Sequence, residues 1–385
     1  MTIGEVCSTI SDTYRAKADK VTLINTSDVL EGKVLNHTRV PNKELKGQFK
    51  KTFKKNDILY SEIRPQNKRF AFVDFDPVDY IASTKLMVLR ADVSKVLPTY
   101  LYFYLKSAPV IAELQMLAET RSGTFPQITF TELSTLSIPV PNITEQEVIV
   151  STIKCIEDKI DCNADINDNL LQQAKTIFRE WFIGNPEKDI WPLVTLDSLT
   201  SLISRGITPK YADDSTQVVL NQKCIRDHYI DTALARKHNP KVINEKWLQY
   251  GDLLINSTGE GTLGRAAQVW FVPENMTVDS HVTVVRPQNQ QLIFYIGLWG
   301  LSHEREFEAL HTGSTGQTEL PRDRVRDLEL RMPDNDILTR FNSVIEPMVS
   351  AIIVNQQENS RLANIRDTLL PRLTSGEIDV SDIQL

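Results

Sequence analysis

The fold of this chain is decided by the stretch Ile149–Trp181, with the sequence IVSTIKCIEDKIDCNADINDNLLQQAKTIFREW. Mostly apolar residues recur in it at alternating steps of four and three, which is the a/d spacing of a coiled-coil seam. The stretch Phe341–Leu373 repeats the same steps. Each pattern predicts a helix roughly 50 Å long at ~1.5 Å per residue. The seam positions are Ile149, Ile153, Ile156, Ile160, Asn163, Asn167, Leu170, Ala174, Ile177 and Trp181, and then Phe341, Ile345, Met348, Ile352, Asn355, Asn359, Leu362, Arg366, Leu369 and Leu373.

Amide side chains interrupt both seams near their midpoints. Asn163 and Asn167 lie in the first stretch. Asn355 and Asn359 lie in the second. If the helices pair antiparallel with aligned midpoints, Asn167 meets Asn355. In the same alignment Asn163 meets the layer of Asn359. A polar layer lowers stability but penalises shifted registers, because a slip would bury amides against Leu or Ile.

Two alternatives stay open for these helices. They could be independent, each packed on its own domain with exposed asparagines. In addition, Pro347 lies inside the second pattern, where it removes a backbone donor and clashes with the preceding turn. The second helix is therefore expected either to kink at Pro347 or to begin its regular part there.

The helices belong to a longer internal repeat with an offset of 192 residues. Tyr100–Gly184 aligns with Leu292–Gly376 without a gap, and the segments from Thr2 and from Thr195 are also similar. Each copy is long enough to bury its own core. The sequence predicts an α+β chain in which two similar mixed α/β domains are separated by two long helices that pair as an antiparallel coiled coil, with pseudo-twofold symmetry. The predicted boundaries are 1–142 and 192–334 for the domains, 143–184 and 336–375 for the helices, and 376–385 for a tail.

Composition limits the class of protein. The chain has 385 residues, a net charge of −7, no apolar run long enough to span a membrane, and no secretory leader at its start. Its four cysteines form no CxxC pair, which predicts a reduced, cytoplasmic protein without a disulfide framework. Between Lys43 and Arg69, nine basic residues face three acidic ones. Such a cluster is either an ordinary solvated surface or a phosphate-binding surface.

The motifs in the chain favour binding over catalysis. Gly259–Gly264 matches GxGxxG, but a strand-like segment follows where a dinucleotide site needs a helix, so a glycine-rich hairpin is favoured. The sequence has no Walker A motif, no NPPY-type methyltransferase tetrapeptide and no GxSxG serine. Its six histidines show no ligand spacing. We therefore predict neither a metal site nor a catalytic centre in this chain.

In each copy of the repeat, the sequence predicts a hairpin, then a helix, then a loop rich in Gly, Ser and Thr. The strand segments NDILYSEI (from Asn56) and GDLLINST (from Gly251) are followed by the hairpin partners FAFVDF and AQVWFV. One helix is predicted near Tyr100–Leu117 and one near Ile293–Leu310. The loops TRSGTFPQIT and HTGSTGQTEL come next.

The order domain–helix–domain–helix, with two near-identical helices, resembles the specificity subunit of Type I restriction–modification systems. The local similarities are GDLLIN, SGTFPQIT, LSIPVPNITEQ and LLPRLTSGEI. The resemblance covers essentially the whole chain and implies that each globular half recognises one part of a split, asymmetric target in double-stranded DNA. It also implies that the helices dock two modification (methyltransferase) subunits, which two restriction subunits join. S-adenosylmethionine, ATP and magnesium would then bind to the partners, and no cofactor would bind to this chain.

Basic, amide and hydroxyl side chains in the predicted turns are the candidates for DNA contact, because they neutralise phosphates or bond to base edges. For each of them an ordinary solvated loop residue is the alternative. The candidates are Lys50, Lys51, Lys54, Lys55, Arg64, Gln66, Asn67, Lys68, Arg69, Arg121, Gln222, Lys223, Asn256, Ser257, Thr258, Arg265, Thr312, Ser314 and Gln317. Two other functions stay open: a non-catalytic adaptor that binds proteins, and a self-sufficient restriction or modification enzyme.

Overall fold

A computed structural model of the chain describes residues 1–16, 18–43, 47–121, 125–239, 244–313 and 318–380. These residues divide into two units. The first unit comprises Met1–Asp161 and the chain from Asn359 onward, and the second unit comprises Cys162–Glu358. Each unit contains one copy of the mixed domain and a segment of each long helix.

Both predicted long helices are present. The first runs over Ile143–Phe178 and is followed by a five-residue π-helical turn, Arg179–Ile183. The second runs over Asn335–Thr374 and contains Pro347, so it does not begin at that proline. Pro347 removes one backbone donor, but it is exposed, and so is Ser343 four residues earlier. Water can therefore reach the carbonyl that loses its partner.

Each unit is built around a four-stranded antiparallel sheet with the same strand order. In the first unit the strands are, in spatial order, Cys7–Ile10, Leu86–Ala91, Ile58–Ser61 and Phe70–Phe72. In the second unit they are Thr200–Arg205, Val282–Pro287, Leu253–Asn256 and Ala266–Gln268. The last two strands of each sheet confirm the predicted hairpins, whose β-branched and aliphatic residues suit a buried pleated surface.

A second sheet in each unit contains one parallel pair. Lys20–Ile24 runs parallel to Tyr80–Ser83, and Val218–Leu220 runs parallel to Met276–Val278. The remaining strands of these sheets are Arg39–Pro41 and Phe49–Lys51 in the first unit and Arg236–Lys237 in the second. Two-stranded ribbons are formed by Val29–Leu30 with Lys33–Val34, by Ile225–Arg226 with Tyr229–Ile230, and by Leu193–Thr195 with Glu329–Arg331.

Short helices connect the strands. The α-helices are Ile3–Val6, Pro98–Lys106, Ala108–Arg121, Phe130–Leu133, Ile293–Ser302, Glu304–Ala309 and Arg322–Arg326. The 3-10 turns are Thr26–Asp28, Pro65–Asn67, Lys188–Ile190, Leu196–Leu199, Gln222–Cys224, Thr232–Leu234, Asn244–Lys246 and Gln290–Leu292.

The prediction of one helix after each hairpin is wrong, because two short helices stand there in each unit. In the first unit the break is at Ser107, whose backbone is extended (ψ 143°). Pro109 follows in the first turn of the next helix and lacks the N–H that a continuous helix would use. In the second unit the break is at His303, whose backbone leaves the helical region (φ −115°, ψ 17°).

The long helices pair antiparallel in the second unit. Asn355 Nδ2 donates to Asn167 Oδ1 at 2.9 Å, which confirms the predicted pairing. Farther along, the rings of Phe178 and Phe341 lie 6.3 Å apart. Because residue numbers rise on one helix while they fall on the other, the two segments run in opposite directions.

The helix segments of the first unit are also antiparallel. Asn359 Nδ2 donates to the carbonyl of Ile160 at 3.1 Å, and Arg366 lies 3.7 Å from the carboxylate of Glu157. The alternative of two independent helices with exposed asparagines is therefore wrong.

The amides lie inside the seam, as predicted. Asn163 and Asn167 are only 1% and 4% exposed. Asn163 donates to Glu358 Oε2 at 2.7 Å. A buried amide needs such partners, since leaving it unsatisfied costs about 1–3 kcal/mol.

Apolar residues of the helix segments complete the core of each unit. In the first unit, Ile149 and Ile153 share a buried cluster with Leu370 and Leu373. In the second unit an aromatic group forms the equivalent core, with the rings of Phe178, Phe182, Trp181, Tyr295 and Phe341 in mutual contact. Fully burying one such side chain contributes roughly 1.5–3 kcal/mol.

Among the described residues, one helix is long and apolar enough to cross a membrane by length and composition, namely Asn335–Thr374. Its buried residues Leu338, Phe341, Ile345 and Ile352 recur at steps of three, four and seven and belong to the core of the second unit. This helix therefore has the pattern of an amphipathic helix with a core-facing stripe.

Candidate nucleic-acid interface

The hairpin turn of the first unit presents exposed polar side chains on a fixed backbone. It connects Ile58–Ser61 to Phe70–Phe72, as predicted, and Arg64, Gln66 and Asn67 are exposed. Arg64 has a positive φ of 44°, which few non-glycine residues adopt. Its amide donates to the carbonyl of Pro126 at 3.1 Å. The turn thus holds these side chains in a defined place.

The next two residues of this turn are bound to the fold. Lys68 pairs with Glu31 at 3.0 Å on the surface. Arg69 Nη1 donates to the carbonyls of Ser27 and Val29 at 3.0 and 3.3 Å. One nitrogen of the Arg69 guanidinium thus joins the hairpin to the Thr26–Asp28 segment, and Arg69 stays a predicted DNA contact.

The four predicted phosphate-binding lysines have different surroundings. Lys50, Lys54 and Lys55 are exposed, and none of them forms an ion pair within the described part of the chain. Lys51 is half-buried, and its Nζ donates to the carbonyls of Thr84 and Leu86 at 3.1 and 2.8 Å. Burial lowers the pKa of Lys51. Its prediction as a phosphate contact is corrected, because the ammonium is used inside the fold.

The glycine-rich motif of the second unit is a hairpin turn, as the sequence favoured. It leads into the strand Ala266–Gln268 and not into a helix. Gly259 and Gly264 have φ values of 98° and 87°, which disfavour any side chain. Arg265, which closes this turn, is half-buried and its carbonyl accepts from the amide of Asn256 at 2.9 Å.

Two predicted base contacts in this turn are instead buried. Asn256 Nδ2 donates to the carbonyl of Gln222 at 3.0 Å. Ser257 Oγ lies 2.6 Å from Thr283 Oγ1. Both Asn256 and Ser257 are fully buried. The predictions for these two residues are corrected, because the strand that carries them enters the core before the turn begins.

The tip of the second hairpin is a polar cluster. Thr258 Oγ1 lies 2.8 Å from His281 Nδ1 and 3.5 Å from Gln222 Oε1. Thr262 also donates to Gln222, at 3.4 Å. Lys223 is exposed beside this cluster. The structure therefore brings the predicted Gln222, Lys223 and Thr258 together.

In both units the loop after the short helices pairs with the hairpin. Ile63 bridges to Gln127 in the first unit, and Thr258 bridges to Glu319 in the second. The predicted Thr312 lies in this loop, where its amide donates to the carbonyl of Glu319 at 2.8 Å. Three further predicted contacts, the side chain of Arg121 and residues Ser314 and Gln317, lie outside the described residues.

An ion pair with a buried carboxylate, which the sequence patterns did not predict, supports each hairpin. Arg90 donates to both carboxylate oxygens of Asp57 at 2.7 Å, and this bond raises the pKa of Arg90. Arg286 donates to both oxygens of Asp252 at 2.8 Å. Asp57 and Asp252 occupy equivalent places before the repeated strands. This aspartate, shared by the two copies of the repeat, is the sequence feature from which the ion pair could have been predicted. Removing one partner of such a pair costs roughly 3–5 kcal/mol.

The site has the chemistry of a binding surface. Its exposed groups are amides, hydroxyls and cations, which bond to base edges and phosphates. Within the described ranges, no group of three or more His, Cys, Asp or Glu side chains could hold a metal ion. Two copies of one α+β domain, each with a polar turn edge and a long-helix pair, define a duplicated recognition protein.

Comparison with known proteins gives the family. Residues 1–172 match the profile of the "Type I restriction modification DNA specificity domain". The chain is 28% identical to the Type I restriction enzyme HindI specificity subunit of Haemophilus influenzae, with 98% of each chain covered. It is 26% identical to the Type I restriction enzyme MjaIX specificity subunit of Methanocaldococcus jannaschii, over 75% of this chain and 71% of that one.

A solved structure supports the fold. The Type I restriction–modification S subunit from M. genitalium superposes with a TM-score of 0.55 at 15% identity, over 97% of this chain and 95% of that one. Over nearly its whole length the chain is therefore similar to the specificity subunits of Type I restriction–modification systems, which confirms the resemblance seen in the sequence.

Proposed function

We propose that this chain is the DNA-recognition subunit of a Type I restriction–modification complex and that each unit recognises one part of a split target. The observation that supports this proposal is that the two units have equivalent hairpin turns with different side chains. These turns are Arg64–Asn67 in the first unit and Thr258–Arg265 in the second. The two turns connect equivalent strands of equivalent sheets, so they lie at the same edge of each unit. Different donors and acceptors select different bases, so the two parts of the target differ.

Exposed lysines are available for phosphate contact although the chain as a whole is acidic. The chain is acidic overall, with a net charge of −7, so it is a poor indiscriminate ligand for DNA. Lys50, Lys54, Lys55 and Lys223 are nevertheless exposed. Each phosphate that such a lysine neutralises releases counterions, which makes binding depend on salt.

In this proposal the catalytic steps belong to partner subunits in the cytoplasm. Two modification subunits dock on the chain, two restriction subunits join them, and S-adenosylmethionine, ATP and magnesium bind to those partners. The long helices support a docking role, because Ile166, Val344 and Val354 are exposed apolar residues on them (42%, 41% and 61%). Contiguous exposed apolar patches favour association with another protein. This chain then contributes recognition and no catalysis.

The test is selection from a randomised DNA duplex library by the full chain assembled with its modification subunits. We expect the bound DNA to share one motif of two unequal parts with a fixed unspecified gap. Affinity should fall steeply as salt rises. The modification subunits without this chain are the control and should select no motif. Selection of no motif by the complete assembly would refute the proposal.

A further inference from the structure

One short turn lies beside the hairpin in both units and was not among the sequence candidates. It connects Tyr80–Ser83 to Leu86–Ala91 in the first unit, and Met276–Val278 to Val282–Pro287 in the second. The last residue of the turn is Lys85 in one unit and His281 in the other.

Backbone bonds place Lys85 and His281 equivalently. The amide of Glu62 donates to the carbonyl of Lys85 at 3.0 Å, and the amide of Ser257 donates to that of His281 at 2.8 Å. Glu62 and Ser257 each directly follow the first strand of their hairpin. Both turn residues therefore adjoin the base of the hairpin.

Both turns are rigid for the same reason. The amide of Lys85 donates to Ser83 Oγ at 3.3 Å, and the amide of His281 donates to Asp279 Oδ1 at 2.9 Å. Ser83 and Asp279 are 2% and 4% exposed, so the anchors are buried while Lys85 and His281 are exposed. A buried anchor beneath an exposed side chain fixes where that side chain is presented.

The imidazole of His281 is oriented as well. Its Nδ1 lies 2.8 Å from Thr258 Oγ1. The same hydroxyl oxygen lies 3.5 Å from Gln222 Oε1. In the neutral ring, Nε2 is a donor when Nδ1 accepts from Thr258 and an acceptor when Nδ1 donates to it. Among the residues that the structure describes, none bonds to Nε2. The ring thus presents the hydrogen-bonding nitrogen Nε2 at the edge of the protein.

From this geometry we propose that His281 is a specificity-determining residue, whose Nε2 donates to the N7 or O6 acceptor of a purine in the part of the target that the second unit recognises. The inference rests on the proposed function. At the equivalent position of the first unit, the ammonium of Lys85 lies 3.6 Å from Glu62. In this proposal Lys85 contacts a phosphate. A mobile ammonium acts as a point charge, whereas a clamped imidazole selects a base edge.

The experiment repeats the library selection with the full chain in its assembly, using the variants His281→Gln and His281→Lys. We expect one base position in one part of the motif to lose its preference by roughly 10- to 100-fold, while the other part is unchanged. Lys85→Gln should keep every base preference and lower the slope of log affinity against log salt by about one. His37→Gln is the matched control, because His37 is an exposed histidine bonded to Tyr80 in the first unit.

The outcomes separate the two proposals. A parent assembly that selects no motif refutes the proposed function itself. A parent that selects a split motif, with both His281 variants preserving each base preference, overturns only the inference about His281. An equal loss of binding to all sequences, accompanied by a lower melting temperature in both variants, also overturns it, because His281 would then be a structural residue.

Discussion

The two units differ where the long helices meet the globular parts. In the first unit the ammonium of Lys106 bonds to Glu157, and Arg366 lies 3.7 Å from the same carboxylate. The ring centroids of Tyr102 and Phe103 lie 4.8 and 4.4 Å from the ammonium. The repeat offset of 192 residues places buried apolar residues at the same positions in the second unit, namely Leu298, Val349 and Ala174.

This comparison shows that the fold does not require the charges. The same backbone packs aliphatic side chains in one copy and an ionic cluster in the other. Burial lowers the pKa of Lys106, and Glu157 opposes that effect. Desolvating such groups costs several kcal/mol per ion, which their mutual attraction only partly offsets. We therefore expect the cluster to contribute more to the choice of pairing between helix and domain than to stability.

Breaking the cluster at one residue should give the largest effect. Glu157→Val introduces the residue type that the second unit has at the equivalent position. It leaves Lys106 and Arg366 without their shared carboxylate. We expect the free energy of unfolding to fall by about 3–5 kcal/mol. Urea unfolding measures the loss, and hydrogen exchange should localise it to the first unit. Asp158→Val is the control, because the Asp158 side chain is 60% exposed in its pair with Lys154 and should change stability by at most ~0.5 kcal/mol.

An effect of Glu157→Val no larger than that of its control would mean that the carboxylate is not what keeps Lys106 and Arg366 in place.

Replacing all three residues of the cluster should instead raise the free energy of unfolding. The triple variant Lys106→Leu, Glu157→Val and Arg366→Ala reproduces the apolar set of the second unit. We expect it to be about 1–4 kcal/mol more stable than the parent chain, because no buried charge remains to be desolvated. The same urea titration measures the gain. A triple variant less stable than Glu157→Val alone would show that the first unit cannot pack the aliphatic set, and the comparison would fail.

A second difference between the units concerns the short ribbon turn. Gly32 stands in the first unit with a φ of 104°, where an added Cβ would lie 2.2 Å from the hydroxyl of Tyr102. His228 stands at that place in the second unit with a φ of 66°. At the position equivalent to Tyr102 the second unit has Phe294, which has no hydroxyl. His228 contacts Lys175 Nζ at 3.1 Å.

This histidine should make the second unit sensitive to acid. Burial, and then the charge of Lys175, lower the pKa of His228 to about 4. Between that value and the unfolded pKa of about 6.5, the unfolded chain binds a proton that the folded chain does not. Stability contributed by the neutral ring is present above about pH 6.5 and is lost as the pH falls. The expected loss between pH 7 and pH 5 is about 2 kcal/mol.

The check is urea unfolding at pH 7 and pH 5 for the parent and for His228→Asn, since Asn tolerates a positive φ. Glu304 also faces His228, at 3.9 Å, and burial raises its pKa, so the difference between the two proteins isolates the histidine. Equal acid sensitivity in both would contradict the assignment. His37→Asn, an exposed histidine of the first unit, is the control.

The units also show which features a sequence can reveal. The long helices and the hairpins follow from local periodicity, and the pairing of Asn167 with Asn355 followed once the two seams were aligned. The ion pair of Asp57 with Arg90 joins neighbouring strands whose contact no local pattern encodes. Lys106, Glu157 and Arg366 come from three distant segments, so only the folded chain brings them together.

Candidate DNA contacts were harder to predict than the fold, because residue type does not reveal burial. Lys51, Asn256 and Ser257 have the composition of a turn, yet their polar atoms bond inside the protein. His281 was passed over because a lone histidine before a strand carries no sequence signal. The structure indicates a role for its position, because Lys85 occupies the equivalent turn of the first unit with the same kind of side-chain anchor.

The smallest effect should come from the amide pair of the seam. Asn167→Leu with Asn355→Leu replaces a hydrogen bond of 2.9 Å by apolar contact. We expect the free energy of unfolding to rise by about 1 kcal/mol, because two amides no longer have to be buried. Asn169→Leu is the control, since Asn169 is exposed on the same helix and should leave stability nearly unchanged. Thermal unfolding measures the change, and light scattering should detect new oligomers, because an all-apolar layer no longer rejects shifted pairings. A lower melting temperature in the double variant would mean that the amide pair stabilises the seam outright, and selection of register would not explain its presence.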